Sequence, residues 1–142
     1  MKIHKITIPL QIYQLKCIVI IDKDISKKIN SYSKREKWEF NVEDDHDLRG
    51  MAINPGNFHT YYVFYSEESL TPNIITHEVS HLVDYILEDK EVNDGEARAY
   101  LSGHINEKIF DYILKNKLLI NKWLIKENLI ENPQKMKLEH GV

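Results

Sequence analysis

The segment 73–86, NIITHEVSHLVDYI, sets two imidazoles four residues apart, His77 and His81, with a carboxylate, Glu78, directly after the first. On a helix such imidazoles stack one turn apart on a single face, close enough for both to reach one tetrahedral ion. Glu78 is turned about 100° from His77, which puts its carboxylate beside such an ion rather than on it. A base acting on a water activated by the ion belongs there. Zinc is the cation suited to this donor set, and one Zn2+ per chain is expected. The chain holds seven His, so accidental formation of the HExxH string is the competing account, and the neighbouring residues must decide between them.

A zinc site needs at least one more protein ligand, and a catalytic one keeps its last position for water. Glu96, in NDGEARAYLSG, is the expected third ligand, because it falls in the first turn of the next helix after a short return. On that helix it shares a face with Ala99 and Gly103, whose small side chains would let two helices approach closely. Asn93-Asp94-Gly95-Glu96 also reads as a capping box, with Asn93 as the cap and Glu96 reaching back. Asp94 and His104 stand in reserve as third ligands. Asp84, one turn after His81, would orient an imidazole, pair with Arg98 on the neighbouring helix, or simply face solvent.

The helix carrying the motif has a strong start, Thr71 as cap and Pro72 in the first turn, and is expected to run from about Pro72 to Leu87. At 100° per residue, Ile75, Val79, Leu82, Val83 and Ile86 gather on one side, while His77, Glu78, His81, Asp84 and Tyr85 occupy the other. A second helix should begin near Asn93 or Asp94 and continue through Lys115. The tail offers a third, amphipathic helix with Leu119, Trp123 and Leu129 or Ile130 as its buried positions.

Upstream, residues 3–8 and 11–21 read as strands rich in Ile, Val and Tyr, separated at Pro9. A helix capped by Asp24 follows, with Ile25, Ile29, Tyr32 and Trp38 near helical spacing. LRGMAIN and TYYVFY supply two more strands around the turn-rich PGNFH. The fold class is therefore α+β: a small, mostly antiparallel four-stranded sheet with one crossing helix, then the motif helix, a second ligand-bearing helix and a C-terminal helix. At 142 residues a single domain is expected.

The formal net charge of −3 gives no electrostatic footprint for nucleic acid or an anionic membrane. One cysteine, Cys17, excludes an intrachain disulfide and a CxxC zinc ribbon, and its apolar surroundings read as core. The acidic loop around His46 reads as a solvated loop. No apolar run is long enough to span a bilayer and no signal-peptide pattern opens the chain, so a cytoplasmic location is expected.

THEVSHLVDYI followed by GEARAYLSGHI resembles the zincin metallopeptidases, closest to the gluzincin pattern, and is similar to small stand-alone zincin-like peptidases of phages and bacteria. The likeness spans roughly residues 48–114. The extended HExxHxxGxxH pattern of metzincins is absent, since Asp84 and Leu87 stand at its Gly and third His. The resemblance implies a minimal zincin-like fold in which Arg49, Gly50, Met51, Ala52, Ile53 and Asn54 form an edge strand that binds a polypeptide substrate in extended form. Gly50 would then allow close approach of that backbone. An interior strand is the alternative.

The expected chemistry is peptide-bond hydrolysis at a mononuclear zinc held by His77, His81 and Glu96, with a metal-activated water and Glu78 as general base. Tyr61, Tyr62, His59, Tyr100 and His104 are all available as oxyanion donors, each with packing as its competing role. The alternative function is a zinc-containing peptide-binding or regulatory module without turnover, and a metal-free helical interaction domain is the third.

Overall fold

The structure, a computed structural model, describes residues 3–45 and 47–118. Its elements follow the order β1 (His4–Leu10), β2 (Leu15–Asp22), α1 (Ile25–Glu36), β3 (Gly50–Ile53), β4 (Thr60–Ser66), α2 (Pro72–Asp89) and α3 (Gly95–Lys115). The four strands form one sheet in the order β1-β2-β4-β3. Expected helix positions Leu119, Trp123, Leu129 and Ile130, and His46, lie outside the described residues.

The sheet is mixed. β1 pairs with β2 and β3 with β4 in antiparallel fashion, but the central pair β2 and β4 is parallel. This refines the mostly antiparallel expectation. β2 and β4 are separated by α1 and β3, so the chain re-enters the sheet after a long crossover, the connection that parallel neighbours require. Parallel central strands are buried on both faces and carry continuous apolar runs, as in CIVII of β2 and YYVFY of β4.

Strand periodicity divides these residues between two cores. Cys17, Val19, Ile21, Tyr61, Val63 and Tyr65 face the layer formed by α2 and α3. Ile18, Ile20, Tyr62 and Phe64 face α1, where Ile25, Ile29, Tyr32 and Trp38 close over them. Asp24 caps α1, its side chain accepting from the Lys27 amide at 3.3 Å.

Pro9 lies inside β1 rather than breaking it, opposite Lys16. β1 is an edge strand, where a residue without an N–H is tolerated. The chain instead reverses at a 3₁₀ turn, Gln11–Tyr13, closed by Gln14 in the left-handed region at φ 54°.

α2 begins as expected, with the Thr71 side chain accepting from the Ile74 amide and Pro72 in the first turn. It extends past Leu87 to Asp89, and Ile75, Val79, Leu82, Val83 and Ile86 are all buried. α3 presents Leu101, Ile105, Ile109 and Ile113 to the core, a stripe of i, i+4 spacing. Its cap is Asp94, whose carboxylate accepts from the Glu96 amide at 3.0 Å. The box built on Asn93 is therefore not the one that forms.

Candidate metal centre

His77 and His81 project from the exposed face of α2, opposite its buried stripe, because 3.6-residue periodicity leaves them no other side. Their Nε2 atoms lie 3.3 Å apart with ring planes at 81°. Two nitrogens bound tetrahedrally at zinc distances of 2.0–2.1 Å would be separated by about 3.3–3.4 Å. The separation of the imidazole pair is therefore that of two nitrogens sharing one ion.

Glu78 turns the other way, toward β3. Its Oε1 accepts the Ala52 amide at 3.1 Å, and its Oε2 lies 3.9 Å from His77 Nε2. The Glu78 side chain retains 13% exposure against 64% for His77. One carboxylate oxygen is therefore anchored to the sheet and the other faces His77.

α2 is itself anchored to the sheet by two tyrosines of β4. Tyr65 donates to the Ile75 carbonyl at 2.8 Å, and burial, with a smaller effect of the Glu78 charge, holds its hydroxyl well above the usual tyrosine range. Tyr61 donates to Asp89 Oδ2 at 2.7 Å, an oxygen that also accepts from Asn54 Nδ2 at 3.0 Å. Burial and then the Asp89 carboxylate raise the Tyr61 hydroxyl in the same direction. These contacts fix the helix along β4, and neither Tyr65 nor Asp89 was among the expected site residues. Alternation along YYVFY marks Tyr65 as facing the same core as Tyr61, but no local signal tells where its hydroxyl goes.

Glu96 is exposed, in the first turn of α3. Among the described residues no third His, Cys, Asp or Glu joins the imidazole pair in a metal-holding group, so the structure does not bring Glu96 to the two histidines. The expected small-residue contact is also absent: Ala99 and Gly103 are exposed, and a Cβ on Gly103 would meet nothing within 4 Å. The cause is the phase of α3. Its Leu101–Ile113 stripe takes the core, which turns the face shared by Glu96, Ala99 and Gly103 outward.

Other expected residues fall in several places. Asp84 pairs with Arg98 of α3, an exposed ion pair that joins the two helices. Tyr100 is 68% exposed and stacks on His104 at 6.1 Å. His104 faces the cleft of about 610 Å³ between α3 and β1, with Ile6, Ile8, Lys108 and Tyr112, on a different flank from Arg98. His59, its Nδ1 2.8 Å from Thr60 Oγ1, follows Phe58, whose carbonyl accepts from Lys90 at the far end of α2. Tyr62 packs in the α1 core. Residues 50–53 form β3 at the sheet edge, with the Arg49 carbonyl accepting from Ser66 N and the Asn54 side chain on Asp89.

Compared with models of protein families, with curated proteins and with solved structures, the chain finds no match.

Proposed function

We propose that the protein is a zinc-dependent metallopeptidase that hydrolyses peptide bonds in extended, unstructured polypeptide. The observation that carries this reading is the 3.3 Å separation of two exposed imidazole nitrogens beside a carboxylate that is held at the edge of a sheet.

In this reading His77 and His81 hold the ion through their Nε2 atoms, and Glu96 supplies the third ligand by swinging its exposed side chain from the first turn of α3. Zinc, when bound, acts as a Lewis acid toward a water and the scissile carbonyl. Glu78 takes a proton from the attacking water at Oε2, the oxygen that faces His77, and passes it to the leaving amine as the C–N bond breaks. The edge of β3, unpaired with another strand among the described residues, offers main-chain groups to an extended peptide, a mode of recognition that reads backbone shape more than side chains.

Zinc content of protein purified without chelator or histidine tag, together with hydrolysis of an unfolded casein, tests the reading. One zinc per chain and cleavage abolished by chelation are expected. Stoichiometric zinc without cleavage would favour the second reading, a zinc-containing peptide-binding module. Absence of zinc affinity would leave the histidines as a hydrogen-bonded surface pair in a metal-free interaction domain.

A further inference from the structure

We infer that β3 positions the Glu78 carboxylate through two of its own residues, Gly50 by its missing side chain and Ala52 by its amide. The catalytic meaning of this rests on the proposal above that Glu78 is the base.

The Ser66 amide donates to the Arg49 carbonyl at 2.9 Å, and antiparallel ladders alternate, so Arg49, Met51 and Ile53 turn their main-chain groups toward β4. The amides of Gly50 and Ala52 point away from β4. There the Ala52 amide meets Glu78 Oε1 at 3.1 Å. A Cβ on Gly50 would lie 2.9 Å from Glu78 Cγ and 3.4 Å from both the Phe64 carbonyl oxygen and Tyr65 Cδ1. Real Cβ atoms essentially never stand as close as the first of these, so a side chain at 50 would force Glu78 or the strand to shift, while the other two are ordinary contacts. Gly56 alone among the described glycines has positive φ, so backbone conformation does not require glycine at 50. Space for Glu78 does.

The glutamate is thus held at two points, Cγ over Gly50 and Oε1 on Ala52, which directs Oε2 to His77. Gly50, expected to allow close approach of a substrate backbone, also makes room for Glu78. An extended peptide laid along β3 finds the Ala52 donor already taken, so its pairing with the strand runs through the remaining edge groups while Glu78 stays in place.

Amide hydrogen exchange of the full chain, read by NMR, tests the positioning independently of turnover. In Glu78→Ala the Ala52 amide should exchange at least ~10-fold faster, while Met51 and Ile53, bonded to β4, stay protected. Glu78→Gln keeps an acceptor oxygen and should keep Ala52 protected. Gly50→Ala should release Ala52 as Glu78→Ala does, and in the zinc-loaded protein should lower kcat on unfolded casein by on the order of 10²-fold with little change in KM. Unaltered Ala52 exchange in Glu78→Ala, or full kcat in Gly50→Ala, overturns the inference. A zinc-loaded wild type that shows the expected exchange pattern but cleaves nothing overturns the peptidase reading, and the catalytic meaning of β3 with it, leaving only the geometry.

Discussion

The Nε2 atoms of His77 and His81 stand 3.3 Å apart, one helical turn from each other on the exposed face of α2. This separation matches the edge of a zinc-centred tetrahedron and is made between two residues of one helix. A site prepared in this way should bind metal tightly enough to affect folding.

Zinc at 100 times its dissociation constant should stabilise the protein by about 2.7 kcal/mol, since an ion that binds only the native state shifts the unfolding equilibrium by mass action. Thermal melts with and without zinc read this directly. His77→Ala and His81→Ala should each abolish the upshift, and a wild-type melting temperature indifferent to zinc contradicts the shared-ion geometry.

Glu78→Gln should retain zinc and lose roughly 10²–10⁴-fold in turnover, the range that a positioned general base contributes. Metal content and kcat must be measured on the same preparation. Undiminished peptidase activity would remove Glu78 from the proton-transfer role.

Glu96→Ala should weaken zinc binding while leaving the fold unchanged, because the side chain is exposed and α3 keeps its Asp94 cap. Isothermal titration decides this. Zinc held by the variant at wild-type affinity would move the third ligand elsewhere.

Two acids on α2 should differ in their contribution to stability. Asp84→Ala breaks an ion pair whose side chains are about half exposed, so its cost should stay below about 1 kcal/mol. Asp89→Ala removes the acceptor of the Tyr61 hydroxyl, which sits on a fully buried residue, and should cost about 1–3 kcal/mol. Urea unfolding of both variants measures the contrast, and equal losses would show that the Tyr61 hydroxyl finds another acceptor.

Burial pushes the Cys17 thiol from 9.0 up to about 12. Between those values the native state keeps a proton that the unfolded chain has lost, so this group's contribution to stability is complete below pH 9 and declines as pH rises toward 12. A Cys17→Ala variant should show a shallower loss of stability over that window. In the native wild type, a thiol reagent at pH 8 should react only at the rate of unfolding.

Local physics made several elements legible in the sequence alone. Thr71 and Pro72 start α2 because a side-chain oxygen can take a free amide and proline needs none to be bonded; Asp24 starts α1 for the first of these reasons. The β-branched and aromatic runs CIVII and YYVFY mark strands, and the 3.6 period of α2 separates His77 and His81 from the core. These features depend on residues within a turn or two of one another, so no distant contact is needed to read them.

Tertiary structure decided the rest. The parallel pairing of β2 with β4 depends on how the chain crosses over, which no single segment records. The phase of α3 against the sheet leaves Glu96 exposed, whereas a helical wheel shows only that Glu96, Ala99 and Gly103 share a face. The contact of Glu78 with Gly50 and the Ala52 amide joins residues 26 apart along the chain for the amide bond. Spacing within one helix aligns the two imidazoles, but only the packing of α2 against an edge strand determines where the glutamate between them is held.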